Sequence, residues 1–199
     1  MKSDNNDLES TLISGKEFRA SIWDLLQEVS VIDQKSDAIL RFVSIALQHQ
    51  HSITLLIETG NPSSSFALLR CLNDTCIRGI WVATDATPEQ IAAILNGEYK
   101  YGNIGKRLEE RFGTGLSPQV REFLNSLTHS GYEQLIRQFS KRGMIEPEFE
   151  PEVLVACIRS ASAVLAALSA QAFAVVDRKD LANEMWEHFK ALFNQGDTA

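Results

Sequence analysis

The chain has 199 residues, 44% hydrophobic and 23% charged, with three cysteines, a formal net charge of −7 and a sequence pI near 5.1. That length suits one domain with a substantial core. The acidic balance argues against a nucleic-acid binder held by bulk electrostatics, and an odd cysteine count with no CxxC pair offers neither a disulfide framework nor zinc-ligand spacing.

The N-terminal "MKSDNNDLES" is polar and acidic with no apolar signal region, so residues 1–15 are expected to form a disordered or frayed tail and residues 16–195 a single helical bundle. Cys71, Cys76 and Cys157 then read as reduced, mostly buried thiols of a cytoplasmic protein.

Helical periodicity runs along the rest of the chain. Phe18, Ile22, Leu25, Leu26 and Val29 fall on one stripe and predict a first helix. A second is predicted from Ser36 as N-cap to Gly60 as stop. A third opens with Asn61 and Pro62 and carries Gly79 in its interior. Thr87, Pro88 and Gln90 spell a capping box for a short fourth helix that Gly97 ends. Further helices are predicted over 104–112, from Ser117 and Pro118 with a bend or break at 128–131, from Pro151 through the alanine-rich "SASAVLAALSAQAFAVV", and from Asp177 or Asp180. The alanine-rich segment is interrupted by serines and Gln171, which suits packing against other helices better than lipid. No alternating β-branched run or Asn-Gly hairpin occurs, so the predicted class is all-α: a bundle of two long helix pairs plus short helices.

Three polar groups stand out. Arg70, Asp74 and Arg78 recur every four residues on an otherwise apolar third helix, and so share a face. Flanked by Leu69, Leu72, Ile77 and Ile80, this ladder is expected to be partly buried. Either it is an ion network tying the helix to a neighbour, or one of its arginines faces a cleft and binds an anion or phosphate. His51 is placed with Leu47 and Leu55 on the apolar side of the second helix, with His49 pointing elsewhere. The third group is "FLNSLTHSGYEQLIRQF", where Asn125, His129 and Tyr132 lie one turn apart on a common face. It lies in a locally basic stretch, with eight Lys and Arg against five Glu between Glu98 and Arg142. It reads either as a helix junction capped by Thr128 or Ser130, or as a site; on both readings His129 is expected to approach Asp74 or one of the ladder arginines.

The blocks "HSITLLIETGNPSSSFALLRCLNDTCIRGIWV" and "LNSLTHSGYEQLIRQF", within residues 41–82 and 122–164, resemble an uncharacterised family of bacterial helical proteins. In that family the third helix carries Arg-x-x-x-Glu-x-x-x-Arg-Gly-x-Trp, with Asp74 here in place of glutamate, and the second block reads Leu-Asn-Ser-Tyr-Thr-His, with Leu127 in place of tyrosine. More distantly, the chain is similar to the HEPN superfamily (higher eukaryotes and prokaryotes nucleotide-binding). These are helical bundles, often dimeric, many of them metal-independent RNases of toxin and phage-defence systems. Their motif is Arg-polar-x-x-x-His; "LNSLTH" keeps Asn125 and His129 at that spacing, with Leu124 at the arginine position.

The resemblance implies no cofactor, no metal and no membrane, a homodimer, and RNA or protein as partner. It leads to two expectations. One is a non-catalytic HEPN-like binding module of a bacterial stress or defence system. The other is an endoribonuclease in which His129 is general acid/base for attack by a ribose 2′-hydroxyl, Asn125 orients it, Arg70 or Arg78 supplies the positive charge, and Tyr132 holds the substrate.

Overall fold

The structure, a computed structural model, describes residues 2–102 and 149–193, with Ile104, Glu122 and Ser126 between them. Six helices account for most of these: α1 (Lys2–Leu26), α2 (Gln34–Glu58), α3 (Pro62–Thr84), α4 (Pro88–Leu95), α5 (Pro151–Val175) and α6 (Lys179–Phe193). No strand occurs among the described residues, 83% of which are helical, so the all-α class stands.

The helix ends show why the punctuation was readable. α2, α4 and α5 all stop by the same device. The residue after the cap takes a left-handed φ, at Gly60 (78°), Gly97 (75°) and Asp177 (56°). The next N–H then folds back onto a carbonyl of the last turn: Asn61 to Leu56, Glu98 to Ala93, Arg178 to Phe173. Thr87 and Gln90 form the expected capping box of α4. At α2 the cap lies three residues earlier than expected. Asp33 is the N-cap, accepting from the Ser36 N–H at 2.7 Å, while the Ser36 hydroxyl oxygen accepts from the Asp33 N–H at 2.9 Å. Ser36 is thus the reciprocal partner in a capping box, because an aspartate three residues upstream can accept from its N–H. α1 starts at Lys2, inside the segment expected to be a tail, and ends at Leu26, short of Val29, the last residue of the predicted stripe.

α5 is the hub and packs against α1, α2, α3 and α6. By length and composition it could cross a membrane, but Val155, Ile158, Leu165, Leu168, Ala172 and Phe173 are spent on the bundle core. α2 and α3 form an antiparallel pair, and α4 lies on α2. A second, smaller cluster of Ala38, Trp81, Val82, Ile91 and Ile104 fills the α2–α3–α4 corner.

Arg178, at the α5–α6 turn, donates to the Glu28 carbonyl and carboxylate (3.0 and 3.1 Å) and to the Asp180 carboxylate (2.8–3.1 Å). It joins that turn to the chain just past α1. The Arg178 bond holds the Asp180 carboxyl below its ordinary value of 3.8, and the Ser36 N–H does the same for Asp33. A carboxyl depressed in the folded state contributes stability above its unfolded pKa and loses it as pH falls through the folded one. The melting temperature is therefore expected to fall as pH drops below about 4. Asp180→Asn and Asp33→Asn should each flatten that acid limb in a thermal melt series; an unchanged limb would show that these bonds do not matter to folding.

Candidate functional site

The face built by α3 and the chain after α4 is the richest described cluster of polar and aromatic groups. Arg70 is half-buried, and Asp74 and Arg78 are exposed. The Arg78 guanidinium lies 4.7 Å from the Tyr101 ring centroid. Tyr101 meets Tyr99 edge-on at 5.1 Å and Trp81 at 6.5 Å, and Tyr99 stacks on Trp81 at 5.3 Å. Trp81 is nearly fully buried and anchors the group in the smaller core. Burial raises the Tyr101 phenol above its ordinary value, partly opposed by the Arg78 cation.

Arg70 meets the expectation of a partly buried ladder; for Asp74 and Arg78 that expectation is corrected here. The inward face of α3 is Phe66, Leu69, Leu72, Cys76, Gly79 and Val82, spaced by three or four. Asp74 and Arg78 each lie two residues beyond a member of that stripe, which at 3.6 residues per turn is about 200° round the helix. The apolar neighbours that suggested burial sit beside these groups in sequence but across the helix in space. Among the described residues no ion pair joins Asp74 to Arg78 or to His51.

His51 is corrected in the same way: it is exposed. The buried stripe of α2 runs Ser36, Ile39, Val43, Ala46, Gln50, Ile53, Ile57, alternating strides of three and four, and it passes through Gln50. Leu55, which suggested an apolar side for His51, is 45% exposed. His49 is the half-buried histidine, and desolvation lowers its pKa, favouring the neutral ring.

Asn125, His129 and Tyr132 lie outside the described residues, as do Leu124 and, apart from Ile104, Glu122 and Ser126, the helices predicted over 104–112 and from Ser117 onward. The expected approach of His129 to the ladder lies there too.

Sequence reasoning missed the buried polar group where α1, α2 and α5 meet. The fully buried Gln50 amide nitrogen donates to the Gly15 carbonyl at 3.0 Å and to the Ser162 hydroxyl oxygen at 3.4 Å, and its amide oxygen has no partner. The regular three–four stride of α2 was the available signal for it.

Cys76 and Cys157 are buried, with thiol pKa values pushed up by desolvation, to about 12 for Cys157, so both stay protonated and unreactive; Cys71 is exposed. Among the described residues no three His, Cys, Asp or Glu side chains converge as a metal site. An open cleft of about 200 Å³ between α2 and α4 is lined by Ala38, Phe42, Ile45, Ile94 and Leu95, with Arg41 also lining it. Arg41 is already paired with Asp37 at 2.8 and 3.1 Å. That volume is below the roughly 300–1,000 Å³ of ordinary small-molecule sites.

Residues 43–108 match the model of a family of unknown function, DUF6988. The match starts within α2, takes in α3 and α4, and includes Trp81, Tyr99 and Tyr101. It overlaps the first of the two blocks that carried the resemblance, and the second block lies beyond it. No curated protein matches the chain, and no solved structure does.

Proposed function

We propose that the chain is a non-catalytic, HEPN-like helical interaction module, of the kind used in bacterial stress and defence systems, and that it self-associates through the outer face of α3. The observation that carries this reading is the exposure of Asp74 and Arg78 on a helix whose opposite face is fully committed to the core. Charges that hold a bundle together are normally drawn inward and paired; these face outward. Their order is also self-complementary. Two copies of α3 packed antiparallel about a two-fold axis between positions 74 and 78 place each Asp74 opposite the other copy's Arg78. Tyr99 and Tyr101, half-buried beside Arg78, supply aromatic surface of the type enriched at interfaces. The family match covers this same face, though that family brings no activity with it.

The test is sedimentation equilibrium on the full chain. The wild type is expected to dimerise with rising concentration. Arg78→Asp and Asp74→Arg should each leave monomers, and the two combined should restore the dimer. Each single substitution is expected to change monomer stability by no more than about 0.5 kcal/mol, as is usual at exposed positions. A wild type that stays monomeric, or a dimer indifferent to these changes, would sink the reading.

The nuclease alternative rests on the i,i+4 pair Asn125 and His129 in "LNSLTH". It requires cleavage of single-stranded RNA in excess EDTA, lost in His129→Ala without loss of melting temperature. No cleavage by the wild type removes it.

A further inference from the structure

We propose that the first half of α1, up to Gly15, is a strap that lifts from the α2–α5 seam as a unit, pivoting at Gly15, while the second half stays docked.

The two halves of this helix are held by different forces. In the second half, Phe18 and Ile22 are fully buried and Leu25 nearly so, and the Phe18 ring meets the Phe189 and Phe193 rings edge-on at 5.3 and 6.0 Å. Two ion pairs also lie on this half and the chain just past it, Lys16–Glu58 at 2.6 Å and Glu28–Arg178 at 3.1 Å, but both are partly exposed, and it is the buried aromatic packing that sets this half apart. From Asn6 to Ser14, by contrast, Thr11 is the one buried side chain, and Leu8 and Leu12 are half-buried. This stretch is tied to α5 by the ion pair Asp7–Arg159 at 3.5 Å, with both side chains about half exposed.

What lies under the junction is polar. Gly15 rests on Ile158, Gln50 and Thr54, and Gln50 in turn reaches Ser162; a Cβ on Gly15 would stand 2.9 Å from Ile158 Cγ2, so the absence of a side chain is what lets the helices close. Gln50 uses its amide nitrogen on the Gly15 carbonyl and leaves its oxygen buried without a partner. A buried orphan acceptor penalises the docked state, and lifting the strap lets water reach it. Glycine is also the weakest helix former after proline, so the helix bends most easily at this position. A pivot, a seam that gains by hydration and a solvent-screened tie at the free end together make a local opening unit. The seam it uncovers lies away from the α3 face, so this proposal stands independently of the self-association reading.

Hydrogen exchange of the full chain, read amide by amide against NaCl concentration, tests it. Amides over 6–14 are expected to exchange together, with a step in protection at Gly15, and faster as salt rises. Asp7→Asn should speed their exchange at low salt by about two- to fivefold, the range for an exposed ion pair, and remove the salt dependence. The charge reversal Asp7→Arg with Arg159→Asp should restore it. Gln50→Leu should slow strap exchange, with Gln50→Met, closer in length, read in its place if the leucine variant does not fold. Plain end-fraying would instead give protection that rises smoothly from the N-terminus through Phe18. That gradient, salt-independent exchange, or a folded Gln50 variant with unchanged strap exchange would each overturn the proposal.

Discussion

Gly79→Ala is expected to destabilise the fold by about 2 kcal/mol, although alanine favours a helix over glycine by about 1 kcal/mol. The reason is the three-helix crossing at this point. A Cβ on Gly79 would lie 2.4 Å from Leu168 Cδ1 on α5 and 3.0 Å from Phe42 Cβ on α2. Leu168 is fully buried, so its methyl has little room to swing away, and Phe42 Cβ is fixed by its own backbone. The helices must therefore separate, and overpacking of this kind typically costs 1–3 kcal/mol and occasionally more. At roughly 2–4 °C per kcal/mol for a chain this long, the melting temperature should drop by about 4–8 °C. Gly79→Val should do worse, since its extra methyls enter the same gap. Gly102→Ala is the control: nothing lies within 4 Å of its added Cβ, and no change is expected. A Gly79→Ala protein as stable as wild type would mean that α3 does not pack as closely on α2 and α5 as described.

Gly79 also shows where the sequence was legible. Its position inside a helix suggested close packing, but not which helices meet there, because that depends on residues more than thirty and nearly ninety positions away in the chain. Local chemistry was readable to within a few residues: Pro62 and Pro88 at helix starts, the Thr87–Gln90 box, and Gly60 and Gly97 as stops, since each acts through its own backbone. Asp33 was overlooked because Ser36, the better-looking cap, takes the reciprocal role.

The candidate site was less legible for a geometric reason. Four-residue spacing put Asp74 and Arg78 on one face of α3, and His51 with Leu47 and Leu55 on one face of α2, but spacing alone does not say whether a face points in or out. One residue of phase, 100° on a helix, decided it. Counting the stride from the best-filled stripe would have placed Gln50 inside and His51 outside. The Arg78–Tyr101 contact was beyond reach, because it joins α3 to the chain after α4, whose path no local pattern fixes.

The largest single-site loss is expected at Phe18. Its side chain is fully buried between α1 and α6, and removing the ring deletes two aromatic edge contacts and leaves a cavity that Phe189 and Phe193, already packed on each other at 5.0 Å, can only partly refill. Buried phenylalanine to alanine typically costs 3–5 kcal/mol, of the order of a third or more of the whole stability of an ordinary domain. Phe18→Leu should lose much less, since most of the volume stays. Trp23→Ala, five residues further along the same helix, should stay within about 0.5 kcal/mol, because Trp23 is 54% exposed and fills no core. The contrast matters more than the size of the first effect. Phe18 is the main apolar anchor of the second half of α1, so its loss should also bring the protection of amides over 18–25 down toward that of 6–14 and erase the step at Gly15. If Phe18→Ala and Trp23→Ala melted alike in parallel calorimetric scans, α1 would not be docked through the Phe18 ring, and the division of that helix into an anchored half and a releasable half would lose its basis.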